Sequence, residues 1–172
     1  MKNGLYIVLI IFSSYLFVSC TGEVKTHTIK SPTLKLIAAG PMFEGSNTAT
    51  VTWSYKLEKL VPKFTKEIQI EDFRISSITI KPIKDADYPE IGKIVMELKP
   101  GNQGMSRVGL LEGNFDKNKL NELTIATNQE DFKEGFTEER LTFVVDFDLK
   151  VEEFFDDIKF ELDLTFEVKT KI

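Results

Sequence analysis

Apolar and polar residues alternate with period two in two long runs near the C-terminal end, and this feature constrains the fold more than any other. The apolar positions of the two runs are Leu141, Phe143, Val145, Phe147, Leu149 and Val151, then Ile158, Phe160, Leu162, Leu164, Phe166 and Val168. Successive side chains of a β-strand point to opposite faces, so each run predicts a strand with one face in the core. The residues 152–157 between them predict a hairpin-type connection between antiparallel neighbours.

Shorter runs extend the same pattern over the rest of the chain. The other predicted strands cover 34–36, 49–57, 73–80, 94–98, 108–115 and 120–127, about eight strands in all. Between Phe73 and Ile80 the apolar phase changes by one residue, which predicts a β-bulge. At most one short helix is expected, after Asn128 and ending at Gly135.

Many amphipathic strands and little helix predict an all-β domain over residues 33–172. Strands with one polar face favour two antiparallel sheets packed face to face, an immunoglobulin-like or fibronectin-like sandwich by architecture only. A small barrel, or a half-barrel with one helix, is the alternative. The chain of 172 residues suits one such domain.

The first twenty residues have the layout of a secretory signal. A positive start at Lys2 precedes an apolar run over 5–18, which is too short to span a bilayer comfortably because a spanning helix needs about 20 residues. The run ends in Leu16-Phe17-Val18-Ser19-Cys20, which resembles the lipobox of bacterial lipoproteins. That resemblance implies a signal peptide over 1–19, removed before a lipidated Cys20. An uncleaved N-terminal membrane helix is the alternative.

Residues 20–32 are polar without a sustained period and predict a flexible tether between the lipid and the domain. Thr21 follows the cysteine, where an Asp often marks inner-membrane retention in the lipoproteins that this segment resembles. The resemblance therefore implies export to the cell envelope, with the outer membrane favoured. His27 lies in this tether and is expected to be solvated.

Charge and composition narrow the possible chemistry. The net charge of −5 disfavours nucleic acid as a partner, because phosphate binding needs clustered Lys and Arg. Cys20 and His27 are the sole cysteine and histidine, so the domain cannot assemble a Ser-His-Asp site or a Cys/His zinc site. No cofactor and no enzymatic activity are predicted. Asp85, Asp87 and Glu90 share one loop, where Ca²⁺ binding or carboxylate catalysis stays open.

Aromatic residues supply the remaining candidates for a site. Trp53 and Tyr55 share a strand face with apolar neighbours and are expected to face the core; on an outward face they would form a ligand platform. Phe154 and Phe155 are adjacent in a loop, so both cannot easily point inward, and an exposed ring there would serve as a partner contact or touch a membrane. The alternative is that both rings fold over the open end of the sandwich. Phe132 and Phe136, beside the predicted helix, are expected to plug the opposite edge of the sandwich.

Three functions remain after these considerations. The first is a non-catalytic envelope lipoprotein whose sandwich binds an envelope protein as a scaffold or accessory subunit. The second is a surface module for a glycan or another small ligand, and the third is a carboxylate-dependent enzyme. The fold alone does not choose among them, since sandwiches host many functions.

Overall fold

The computed structural model describes residues 23–61, 68–83, 88–113, 115–129 and 132–171. These residues form two antiparallel five-stranded sheets packed as a sandwich, which confirms the predicted fold class. The sandwich has ten strands rather than about eight, and two short helices rather than at most one.

The strands are β1 (Val24–Lys30), β2 (Leu34–Ala38), β3 (Met42–Ser54), β4 (Gln69–Pro82), β5 (Ile91–Pro100), β6 (Ser106–Glu112), β7 (Asn121–Glu122), β8 (Thr124–Ile125), β9 (Arg140–Phe154) and β10 (Ile158–Lys171). The helices are α1 (Leu57–Leu60) and α2 (Lys133–Thr137). The helix α1 falls on the short apolar stretch before Pro62, and proline interrupts such helical spacing.

The last strand, β10, lies inside the first sheet. On one side it pairs with β4, and on the other side with β2 near its start and with β1 near its end. Residues 24–30 are therefore a strand, and the predicted flexible tether over 20–32 is wrong for them. His27 is also not a solvated linker residue, since it is half-buried and its Nε2 lies 3.0 Å from the Thr170 hydroxyl.

The two strands that contain the long alternating runs, β9 and β10, lie in different sheets. The second sheet has the order β3-β9-β5-β6-β8, so β9 and β10 are not partners. The predicted hairpin over 152–157 is wrong, because residues 152–154 are the end of β9 and residues 155–157 carry the chain to the other sheet. Period-two alternation shows which face of a strand is buried but not which strand it pairs with.

The phase change in β4 is a β-bulge, as predicted. Ser77 pairs with Thr165 and Ile75 with Phe166, so Ser76 is the extra residue. The bulge keeps Ile75 and Ile78 both buried although they are three positions apart. A regular strand would turn one of them to solvent.

A stack of aromatic rings joins the two sheets below α2. Phe73 stacks on Phe136 with ring centroids 4.1 Å apart and on Phe166 at 5.2 Å. Trp53 stacks on Phe166 at 5.7 Å. Phe132 and Phe136 are both buried, and α2 precedes the start of β9, at the end opposite Phe154 and Phe155, as predicted for rings that plug that edge.

One long side of the sandwich is closed. The strand β7 pairs with β4 of the first sheet and β8 with β6 of the second, so the chain bridges the two sheets there. Gln129 covers the same edge of β4. Its Oε1 accepts a hydrogen bond from the Ile75 backbone amide at 2.9 Å, and its Nε2 donates one to the Ile75 carbonyl at 2.8 Å. The opposite side lies between β3 and the edge formed by β1 and β2.

Candidate functional site

Two crossovers between the sheets meet at one end of the sandwich. Residues 39–41 connect β2 to β3, and residues 155–157 connect β9 to β10. They touch at Gly40, where a Cβ would overlap the Phe155 carbonyl, while the Gly40 amide donates to Asp157 Oδ1 at 3.3 Å. We call residues 39–44 and 152–157 together the tip.

The tip exposes aromatic side chains. Phe155 is 72 % exposed, whereas Phe154 is half-buried against the core. Phe43, at the start of β3, is 54 % exposed and pairs with Glu153. The sequence identified the Phe154–Phe155 pair as unusual, and the structure places one ring inside and one outside. Phe43 was not predicted as a site residue, because a single aromatic residue at the start of a strand does not indicate whether its side chain is exposed.

Carboxylates surround these rings. The exposed acidic residues of the tip are Glu44, Glu152, Glu153, Asp156 and Asp157. Lys159 Nζ approaches Asp157 only to 4.0 Å, and exposed pairs of this kind contribute little. An exposed aromatic group within acidic surroundings fits an apolar slot with a basic rim on another molecule.

The tip lies at the far end of the molecule from the N-terminal strand. Val24 pairs with Lys171 at the end of β10, whereas the tip adjoins Ile158 at its start. Thirteen steps of about 3.4 Å separate these two positions, which gives roughly 44 Å. The exposed Phe155 therefore points away from the end where the described chain begins.

A second candidate region is a cleft at the edge of the sandwich. Its volume is about 470 Å³, and it is lined by Lys30, Pro32, Trp53, Ser54, Tyr55, Lys56, Lys59 and Leu60. Trp53 is only 6 % exposed, so it faces the core, as expected for this ring. Tyr55 is half-buried and donates from its hydroxyl to the Phe136 carbonyl at 2.7 Å, and burial raises its pKa. The two rings therefore do not form an outward platform, although both contribute to the cleft.

An ion pair that sequence reasoning did not find holds one wall of this cleft. The Glu139 carboxylate accepts from Lys56 Nζ and, at 3.0 Å, from the Leu57 amide at the start of α1. The hydrogen bond from Lys56 holds the pKa of Glu139 below its usual range, and the same bond raises the pKa of Lys56. The partners are 83 residues apart in sequence, so no local pattern connects them.

The acidic loop of the sequence analysis is described only in part. Asp85 and Asp87 lie outside the described residues. Glu90 is exposed and lines a cleft of about 430 Å³ with Tyr88, Phe115 and Asp116. Within the described ranges, no group of three or more His, Cys, Asp or Glu side chains is placed to hold a metal ion.

Cys20 and the predicted signal segment lie outside the described residues. Among the residues that the structure does describe, no helix is long and apolar enough to cross a membrane. Comparisons with protein-family models, with curated proteins and with solved structures find no match to this chain.

Proposed function

We propose that this chain is a non-catalytic envelope lipoprotein, anchored by lipid on Cys20, whose tip docks an envelope protein as a scaffold or accessory subunit. The observation that carries the proposal is the exposure of Phe155, 72 % open to solvent among carboxylates at a crossover. Removal of the signal at Cys20 and delivery to the outer membrane belong to the same proposal.

The exposed ring has no evident role in folding. Phe154 already packs against the core at the same crossover, and Gly40 contacts the backbone of Phe155 rather than its side chain. An exposed aromatic loses less entropy on binding than a long flexible side chain, and aromatic anchors dominate many interfaces. These contacts support a role for Phe155 outside the domain itself.

The acidic surroundings define the chemistry of the partner. An apolar pocket rimmed by Lys or Arg would bury the Phe155 ring and pair with Glu152, Glu153, Asp156 and Asp157. Exposed charges act mainly on the association rate and are screened by salt, since the Debye length is about 8 Å at physiological ionic strength. The association rate of the complex should therefore fall as salt increases.

The distance between tip and anchor also supports a protein partner over the host membrane. The described chain starts three residues after Cys20, at the end of the sandwich opposite the tip. Roughly 44 Å of strand, at about 3.4 Å per residue, then separates Phe155 from the anchored end. Phe155 can reach a partner while the lipid stays in its bilayer.

Site-specific photocrosslinking in intact cells tests the proposal. A photoreactive residue at position 155 should capture one reproducible envelope protein, and Phe155→Ser should abolish its capture by a crosslinker elsewhere on the tip. Met105 is the matched control, because it is 50 % exposed and precedes Ser106, which pairs with Leu98 at the end of the sandwich opposite the tip. Capture that is equal from both positions, or unaffected by Phe155→Ser, would refute docking through the tip.

The anchor has its own test. In cells fed a labelled fatty acid, the wild-type chain should incorporate the label, and Cys20→Ala should abolish incorporation and leave an uncut precursor. Equal labelling of wild type and Cys20→Ala would refute lipidation at this residue. Neither result depends on the tip.

A second candidate function, binding of a small anionic ligand, is favoured by the cleft beside Trp53. Lys30 and Lys59 line it in a chain of net charge −5, beside Lys56, whose charge is paired with Glu139. Titration with glucuronate should then change Trp53 fluorescence, while uncharged glucose should not. An unchanged spectrum with both sugars would rule out a sugar-acid ligand.

A further inference from the structure

We propose that the free edge of β3 pairs with the same edge of a second copy of this chain. Residues 46–54 of the two copies would run antiparallel, joining their second sheets into one sheet of ten strands. The pairing uses no residue of the tip and does not depend on the proposed function.

The outer edge of β3 has backbone groups available for pairing. This strand is the terminal member of its sheet, with β9 as its one partner among the described strands. No backbone hydrogen bond joins the outer edge of residues 46–54 to any other described residue. Such an edge is a template for another strand.

Both ends of the free segment are defined by local contacts. At the tip side, the register shifts between Phe43 and Gly45, and the Asn47 side chain donates to the carbonyls of Phe43 and Gly45. At the other end, β3 stops at Ser54, and the Tyr55 amide continues the inner ladder by donating to the Glu139 carbonyl at 3.0 Å. The available edge is therefore Ser46–Ser54.

This segment lacks the features that normally prevent edge-to-edge pairing. Residues 46–54 contain no charged residue and no proline, and they are rich in Thr. The other edges are protected. β1 carries Lys25 and Lys30, and β2 has five residues and carries Lys35. β4 is covered by β7 and by Gln129, and β8 has only two residues. Charged side chains, short edge strands and cover by other segments are the usual features that protect a sheet edge from pairing with another chain.

The segment is complementary to itself. In an antiparallel register centred on Thr50, Ser46 faces Ser54, Thr48 faces Thr52, and Thr50 faces its own copy. The Thr48 hydroxyl already donates to Asp146 and the Thr52 hydroxyl lies 3.0 Å from that of Thr142, so the pairing rests on backbone hydrogen bonds. No like charges stand opposite each other in this register. A second copy thus satisfies every pair by one isologous contact, the commonest form of dimer. The two tips then lie at opposite ends of the dimer, each at the end where β1 of the other copy begins. A dimer anchored through both copies would therefore lie with its strands along the membrane, and the stand-off of the tip from the membrane belongs to the monomer.

Sedimentation equilibrium of the full-length chain in density-matched detergent tests the pairing. The wild type should reach twice the monomer mass. Thr50→Lys places two positive charges together on the twofold axis and should weaken the dimer about tenfold or more. Thr28→Lys is the matched control, since Thr28 is exposed on the protected edge strand β1, and it should stay dimeric.

Charge complementation separates the proposed register from a folding defect. Thr50→Lys and Thr50→Glu should each be mainly monomeric, with Trp53 fluorescence unchanged, and an equimolar mixture should recover the dimer mass. A monomeric wild type would overturn the proposal. So would a dimer that Thr50→Lys leaves intact, or a mixture that fails to recover the dimer.

Discussion

Truncation of Ile29 tests whether the N-terminal strand belongs to the folded domain. Ile29 lies on β1, is 4 % exposed and pairs with Phe166 of the central strand. Ile29→Ala removes three carbon atoms, which at about 0.8 kcal/mol per buried methylene amounts to roughly 2.4 kcal/mol. A residual cavity adds to this cost, although an edge strand can relax, so we expect a loss of about 2–3 kcal/mol.

The matched control is Val24→Ala on the same strand, because Val24 is 55 % exposed. Its effect should stay within about 0.5 kcal/mol, as for other surface positions. Trp53, the one tryptophan of the chain, is buried 5.7 Å from Phe166 and reports unfolding by its fluorescence. In thermal unfolding, the Ile29 variant should melt about 5–10 °C below wild type, since each kcal/mol shifts the midpoint by about 2–4 °C in chains of this size. Equal midpoints for the two variants would show that residues 24–30 are a tether after all.

Two further predictions concern packing and acid stability. Gly135→Ala should lower the free energy of unfolding by about 1–3 kcal/mol, because its Cβ would lie 2.5 Å from the Pro100 carbonyl oxygen. Gly104→Ala, which has open space around it, should change the free energy of unfolding by no more than about 0.5 kcal/mol. Equal effects of the two substitutions in chemical unfolding would contradict the packing at α2. Glu139→Gln should destabilise the protein most near pH 7. The folded-state pKa of Glu139 is lowered, so the contribution of its ion pair is present above the unfolded pKa of about 4.3 and is lost as pH falls through the folded value. Unfolding measured from pH 7 to pH 2.5 should show the difference from wild type shrinking, and a constant difference would exclude an electrostatic cause.

The buried faces of the strands could be predicted from the sequence because they depend on local alternation. The runs ending in Val151 and Val168 correctly gave the core-facing residues of β9 and β10, and the phase change near Ser76 correctly gave the bulge. Trp53 was placed correctly because its alternate neighbours are apolar. Each of these features follows from the period of a pleated strand.

The arrangement of the strands could not be predicted in the same way. A short connection such as 155–157 can serve as a hairpin or as a crossover between sheets, and its composition is the same in both. Residues 24–30 look polar because β1 is an edge strand that buries Ile29 alone. Its place in the sheet depends on pairing with β10, more than 130 residues away in the chain.

The candidate site was predicted only in part for a related reason. The loop sequence indicated that Phe154 and Phe155 could not both be buried, because two adjacent rings cannot share one buried face. Phe43 joins them only through the pairing of β3 with β9. β3 has a free edge because it is the terminal strand of its sheet. The residue pattern within β3 does not indicate its position in the sheet.

The pairing of β1 with the end of β10 also determines how the domain would carry a mechanical load. A pull between a membrane anchor before Val24 and a partner held at Phe155 acts along the axes of these two strands. Antiparallel strands drawn apart lengthwise slide past each other, so the seven residue pairs from Val24–Lys171 to Lys30–Thr165 bear the force together. A force across the strands would instead open the pairs one by one. Under the proposed anchoring and docking, the first strand would resist tension between the membrane and the partner.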